Sequence, residues 1–402
     1  MRHVRFIVAF LAVCICGDII PGLSRISQSY QAKDAQGPQP LWEIDLSKFG
    51  YEARLKELPD KAYPHPVSWG TRQTLVFTQE NVLATTFEVH IEDGAPSVRD
   101  KNLPTDPYHM AVLFLTAGSG AVIRKGDWPV HSSTRTWFFA AQDGQSILGI
   151  GNKLTLLSPE LTKISELTLP TPYGELTMAL ASPAADTLLV LYGGGPEFKY
   201  ASKLDLLDTA DLSLLKFWTG EEARPKWALW GNELARFSDH DIRIETTTSG
   251  PREVLASEDL NCGFQSFINQ ETLAVGKFGK DGCNTLALVS TGGKIIQEVH
   301  FDAKGIFGTA RASRNGRFFA IDGAASQRAP SKPFVKVFKF GSEKPLLTVD
   351  FPATVGGAGY AMDIPGLPFG DSAKEALSPE GDLLAIRTGP IVRVYRVPKE
   401  VQ

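Results

Sequence analysis

Short apolar runs separated by polar turns recur along the whole chain, and the pattern is clearest near its end. From Ser378 to Val397, SPEGDLLAIRTGPIVRVYRV, a Pro-Glu-Gly turn leads into the apolar run Leu383 to Ile386, and a Thr-Gly-Pro turn follows. Ile391 to Val397 then alternates apolar residues with Arg. Turn residues flanking alternating or apolar runs of this length predict an antiparallel hairpin. Related stretches precede it: AQDGQSILGIGNKLTLLS from Ala141, SPAADTLLVLY from Ser182, WGNELARFSDHDIRIE from Trp230, NQETLAVGKF from Asn269 and SRNGRFFAID from Ser313. No stretch shows a sustained helical period.

Aligning the repeats on the small residue inside each apolar run gives Ala84, Gly149, Val190, Ala235, Ala274, Ala320 and Ala385, at intervals of 65, 41, 45, 39, 46 and 65 residues. The middle four intervals average (320 − 149)/4, about 43, the period of a unit of four short strands. Seven anchors predict an all-β, seven-bladed β-propeller. The last repeat has three strands and then only PKEVQ, too little for a fourth. Leu41 to Leu46, LWEIDL, sets Trp42, Ile44 and Leu46 on one face and Glu43 and Asp45 on the other, a half-buried strand that can complete the last blade. The ring is therefore expected to close through the N-terminal strand, which removes the open edges of a linear array.

Before that strand, MRHVRFIVAFLAVCICG places Arg2 and Arg5 ahead of about twelve apolar or small residues that stop before Asp18, too short to span a membrane. Residues 1–24 read as a signal peptide, residues 25–40 as a flexible spacer and residues 41–402 as one propeller domain. The expected location is outside the cytoplasm, periplasmic or extracellular, with no transmembrane segment in the mature chain. A net charge of −4 without a basic stripe excludes nucleic acid as an expected partner, and the expected state is a monomer.

Of the four cysteines, Cys14 and Cys16 fall in the leader; Cys262 and Cys283 are expected to pair in an exported protein. Cys262 falls just before the first strand of the blade anchored at Ala274 and Cys283 just before its third, so one strand separates them and the flanking loops must bend together for a disulfide to reach. The seven histidines show no metal-site spacing, and Asp239-His240-Asp241 reads as a turn, since three adjacent residues cannot converge on one ion. Gly193-Gly194-Gly195 lacks the Lys-Ser/Thr of a phosphate loop, and no G-x-S-x-G elbow accompanies the serines. Gly118-Ser119-Gly120 with Trp128 is one degraded copy of the docking motif of quinoprotein propellers and implies no quinone. Neither a metal nor a cofactor is expected. The tryptophans Trp69, Trp128, Trp137, Trp218, Trp227 and Trp230 read as packing between blades.

In an up-and-down blade, the loops entering the first strand and those joining the second to the third emerge on one face. All the long insertions belong to these two sets: His90 to Tyr108, Gly193 to Lys203, Asp322 to Pro333 and Pro352 to Asp371. Three crowd the sector of blades six, seven and one, which makes Arg99, Tyr108, Arg328, Tyr360 and Asp363 the candidate binding residues. Two functional readings follow. The first is a non-catalytic binding or scaffolding module for a protein or small ligand. The alternative is a propeller enzyme acting on a sugar, lactone or similar molecule, with acids and a histidine drawn from separate blades. Three or more charged side chains or histidines converging at a channel mouth would favour the enzyme.

The repeats resemble those of WD40-like and YVTN-type bacterial β-propellers, and Ser238-Asp239-His240-Asp241-Ile242-Arg243-Ile244 is similar to the S-x-D-x-x-I-R-I run of a WD40 blade. The overall layout is similar to that of exported bacterial propeller proteins. The resemblance implies the propeller fold over residues 41–402 and carries no activity with it.

Overall fold

The computed structural model describes residues 37–51, 75–90, 108–130, 136–170, 176–192, 203–219, 226–238, 241–256, 260–279, 282–301, 306–324, 333–350, 375–388 and 390–399. The leader, most of the spacer and the longest insertions fall outside them. The described chain forms seven four-stranded antiparallel sheets, the blades of a propeller.

Blade 1 is β2 (Leu75–Gln79), β3 (Val82–His90), β4 (Tyr108–Thr116) and β5 (Val122–Val130). Blade 2 is β6 (Thr136–Ala140), β7 (Ser146–Ile150), β8 (Lys153–Leu157) and β9 (Lys163–Thr168). Blade 3 is β10 (Leu176–Ala181), β11 (Thr187–Tyr192), β12 (Lys203–Asp208) and β13 (Leu214–Thr219). Blade 4 is β14 (Lys226–Trp230), β15 (Glu233–Phe237), β16 (Asp241–Thr246) and β17 (Arg252–Ala256). Blade 5 is β18 (Leu260–Asn269), β19 (Thr272–Gly279), β20 (Gly282–Ser290) and β21 (Ile295–His300). Blade 6 is β22 (Ile306–Ala312), β23 (Phe318–Ala324), β24 (Pro333–Lys339) and β25 (Pro345–Asp350). Blade 7 is β26 (Glu375–Leu377), β27 (Leu383–Thr388) and β28 (Ile391–Arg396), completed by β1 (Trp42–Asp45).

All seven sequence anchors lie on the second strand of their blades and are buried. The reason for a small residue is direct at Gly149: a Cβ there would stand 3.1 Å from Trp137 Cβ and 3.3 Å from Leu154 Cδ2. Trp137 and Leu154 are its partners on the two flanking strands, so the methyl group's space is already filled. Around the anchors, alternate residues of each strand fill the seams between successive blades with Leu, Ile, Val and Phe. Burial of this kind contributes roughly 1.5–3 kcal/mol for each large aliphatic or aromatic side chain.

The ring closes as the period requires. β1 pairs antiparallel with β28, Trp42 opposite Val394 and Asp45 opposite Ile391, and the ladder is extended by Leu41 N–H to the Val394 carbonyl at 2.7 Å. Trp42 then reaches beyond its own blade: its indole N–H donates to the Ala117 carbonyl of blade 1 at 2.6 Å. Gly120, at φ +71, receives the ring, and a Cβ there would fall 2.7 Å from Trp42 Cδ2. The Gly118-Ser119-Gly120 stretch is thus the β4–β5 turn shaped around the closing tryptophan.

Two expectations are corrected. The insertions of blades 1 and 6 are shorter than the apolar pattern suggests, because His90 still pairs with Tyr108 and Asp322–Ala324 pair with Pro333–Val335. Ladder hydrogen bonds are made by the backbone, so strands run past their apolar side chains. Likewise Cys262 and Cys283 lie inside β18 and β20 rather than ahead of them, with β19 between.

Candidate functional site

The two faces of the ring differ in their connectors. Every connector from a first to a second strand, and every one from a third to a fourth, has two to five residues. These turns share one face, the turn face. The connectors made by residues 91–107, 193–202, 325–332 and 351–374 join second to third strands or blade to blade, so they leave from the opposite strand ends. Arg99, Arg328, Tyr360 and Asp363 lie outside the described residues, as do Asp239, His240 and Gly193-Gly194-Gly195. Tyr108 is the first residue of β4, at the root of the blade 1 insertion.

What the described chain provides on that face is the footing of the insertions. In blade 1, His109 Nδ1 stands 2.6 Å from Asp127 Oδ1, with Lys125 Nζ 3.8 Å from the same carboxylate. These residues sit on adjacent strands, one of them next to Tyr108. Their separation of 18 in sequence hides them from any motif scan, and only the β4–β5 register would have shown them. In blade 3, Tyr192 ends β11 and Lys203 opens β12, so the two flank residues 193–202. Both converge on buried Asp205: the tyrosine hydroxyl donates to Oδ2 at 3.1 Å, and the lysine ammonium lies 2.9 Å from Oδ1. Burial, with the Asp205 charge beside it, pushes the Tyr192 phenol upward, so it remains a donor at neutral pH.

Between blades 7 and 1 the footing is Arg387, one residue before the end of β27 and 3 % exposed. Its Nη1 donates to Thr85 Oγ1 at 3.1 Å and to the Thr86 carbonyl, and the guanidinium covers the Tyr51 ring at 5.2 Å. Burial draws its pKa down to about 10, with Tyr51 opposing, so the group is cationic at neutral pH. The buried cation and its threonine partners tie the second strands of the two blades together directly under the sector that holds Tyr108.

On the turn face, Arg314 feels the charges of Glu80 and Asp186. Burial lowers the Arg314 pKa, and the carboxylates of Glu80 and Asp186 pull it back up. These residues stand on the turns from first to second strand of blades 6, 1 and 3. These three charged groups lie on the face opposite the insertions and include no histidine. Among the described residues, no group of three or more His, Cys, Asp or Glu could hold a metal ion. No described helix is long and apolar enough to cross a membrane.

The tryptophans behave as packing residues. Trp137, Trp218 and Trp227 are buried, and Trp218 and Trp227 meet at 5.8 Å across the seam of blades 3 and 4. Trp69 lies outside the described residues.

No family model and no curated protein matches the sequence. Among solved structures, the chain is similar to one in a structure titled "Crystal Structure of Mitotic Checkpoint Complex", with 14 % identity, a TM-score of 0.53 and coverage of 97 % of this chain and 99 % of that one. It is also similar to the Neurospora crassa Pan2 WD40 domain, with 9 % identity, a TM-score of 0.46 and coverage of 92 % and 98 %. At these identities the likeness concerns the fold alone.

Proposed function

We propose that the chain is a non-catalytic binding module whose long-connector face, at the sector of blades 6, 7 and 1, holds a protein partner. The observation that carries this reading is the asymmetry of the connectors: one face is all tight turns, and every insertion springs from the other. Evolution lengthens connectors cheaply on a rigid scaffold, and the lengthened ones are where recognition residues accumulate. Propellers of the WD40 type commonly serve as interaction scaffolds, which agrees with this reading. Arg99, Tyr108, Arg328, Tyr360 and Asp363 are the proposed contacts, and export followed by a Cys262–Cys283 disulfide remains part of the proposal.

The test is site-specific photo-crosslinking in the native host. A crosslinking amino acid at positions 99, 108, 328, 360 or 363 is expected to trap one discrete protein, and the same label at Asn81, Asn232 or Arg317 on the turn face is not. Trapping only from the turn face would overturn the assignment. A second reading is a propeller enzyme acting on a sugar, lactone or similar small molecule, supported by the partly buried Arg314 that feels the charges of Glu80 and Asp186 from two other blades. A thermal-shift screen with such compounds decides it: stabilisation of the natural chain that Arg314→Ala abolishes, with turnover of the same compound, would establish the enzyme.

A further inference from the structure

Six of the seven outer strands follow a tight turn from the third strand, and in all six one residue near the start is skipped in the pairing: Ile123, Ile164, Leu215, Val254, Ile296 and Leu346. The skipped residue is apolar every time. A bulge leaves its extra residue without a cross-strand partner and twists the edge, a common way of blunting the open side of a sheet. A second guard accompanies it. Lys125 on β5, Lys163 on β9, Arg252 on β17, His300 on β21, Asp350 on β25 and Glu43 on β1 are exposed, so six outer strands display a charged or titratable side chain.

β13 is different. Its exposed side chains are Leu214, Leu215, Phe217 and Thr219, with Phe217 at 55 %. The single cation of this strand, Lys216, is turned into the seam with blade 4, where its ammonium meets Glu245 Oε2 at 3.1 Å and the Thr246 carbonyl at 2.8 Å. Among the described residues, no strand pairs with the outer side of β13. The edge is therefore apolar and uncharged, and beyond its bulge the stretch Lys216–Thr219 stays in register.

We propose that two copies of this chain associate through this edge, β13 against β13, antiparallel about a two-fold axis. A two-fold interface sets residue i against j and j against i, so an antiparallel strand pair tolerates apolar residues near its axis and rejects a charge that would lie there beside its own copy. With the axis at Phe217, the two Phe217 side chains would face each other, Leu215 would face Thr219 and Lys216 would face Trp218, so no like charges are opposed. The pairing would also satisfy the edge's outward backbone groups and cover the apolar patch, which runs counter to the monomer expected from the sequence.

The test is the mass of the purified full chain by light scattering over a concentration series, for the natural sequence and for Phe217→Lys and Leu215→Lys separately. The natural chain is expected to approach twice the monomer mass at high concentration, and each variant to remain a monomer with an unchanged far-ultraviolet spectrum. A natural chain that stays monomeric to its solubility limit overturns the proposal. So does a dimer that survives in both variants, or a monomer whose β13 edge is covered instead by a segment of another protein. Should either variant fold poorly, hydrogen exchange on the natural chain decides: protection within Lys216–Thr219 that rises with concentration supports the pairing, and concentration-independent exchange overturns it.

Discussion

The seam between blades 3 and 4 and the seam between blades 7 and 1 perform the same task with different materials. The first is a junction of continuous chain. Buried Glu245 stands 2.6 Å from Arg236 Nε and 3.1 Å from Lys216 Nζ, and accepts the Trp218 indole N–H at 3.1 Å; the Arg236 guanidinium lies 4.6 Å over Trp227. The second seam joins the two ends of the domain. Its core is Leu75, Leu83, Phe87, Ala111, Leu113 and Leu115 of blade 1 against Ala385, Val392 and Val394 of blade 7, and Trp42, Ile44, Leu46, Phe49 and Tyr51 close over it. Within blade 7, Arg393 of β28 pairs with Glu43 of β1 at 2.7 Å, which links residues 350 apart in sequence. A continuous seam forms with little loop-closure entropy and tolerates a desolvated charge network. A seam that must recruit a distant segment also buries a cation, Arg387, and adds to it the apolar area delivered by ten residues, 42–51.

The largest expected effect breaks the closing seam outright. Deleting residues 38–48 removes β1 and buried Leu46, and with them the outer strand of blade 7. At roughly 1.5–3 kcal/mol for each large apolar side chain withdrawn, the loss approaches the ~5–15 kcal/mol that holds a domain folded. The cooperative thermal transition should be lost or fall by more than about 10 °C. Deleting residues 24–36 should leave it in place. A melting temperature that survives the first deletion would refute closure by the N-terminal strand.

Next comes the continuous seam. Glu245→Gln strips the anion from between Arg236 and Lys216 and leaves two cations facing each other in a buried site, at a cost of about 3–5 kcal/mol. Replacing all three with apolar residues of similar volume should recover most of that loss, since the network is a poor source of net stability. Denaturant titrations of the single and triple variants check both. Equal midpoints for natural chain and Glu245→Gln would mean that the seam does not depend on its charges.

A smaller effect sharpens the account of Trp42. Trp42→Phe retains apolar contact but forfeits the 2.6 Å bond to Ala117, which predicts a loss of about 1 kcal/mol. Gly120→Ala should cost ~1–3 kcal/mol, because φ +71 is strained for alanine and its methyl group would sit 2.7 Å from the indole. The two should not add in the double variant, since phenylalanine vacates the space the methyl group needs.

How much of this was legible in the sequence follows from what each feature depends on. The blades, their number and their closure rest on period-2 patterning and on small residues at a regular spacing, both written locally, and so Ala84 through Ala385 all fall on second strands. The alternating face of Trp42, Ile44 and Leu46 announced an outer strand for the same reason. What escaped were pairings made by register: His109 with Asp127, and Arg387 with Thr85. None has a spacing signature, because each partner comes from another strand or another blade. The binding residues were inferred from connector length alone, a signal that places a surface without giving its geometry.

The smallest prediction concerns the turn-face rim of the closing seam. Glu80, on the inner turn of blade 1, accepts the Glu380 backbone N–H at 2.8 Å and lies beside Asp382 of blade 7, whose carboxyl is held by Ser378 Oγ at 2.8 Å. Burial raises the Glu80 pKa above its ordinary 4.5, and the neighbouring Asp382 carboxyl raises it further. The folded chain therefore holds this proton more tightly than the unfolded chain. That contribution to stability is present in full below the ordinary value and is lost as pH rises through the folded value. Glu80→Gln keeps an acceptor for the Glu380 N–H and can donate to Asp382 at every pH. The melting temperature of the variant relative to the natural chain should therefore rise between about pH 4.5 and 7, and Asp382→Asn should lessen that slope without abolishing it, since burial is the larger cause. A difference between variant and natural chain that is flat with pH would mean that the two carboxyls do not compete for a proton, and the seam would then owe its cohesion at this rim to the Glu380 backbone bond alone.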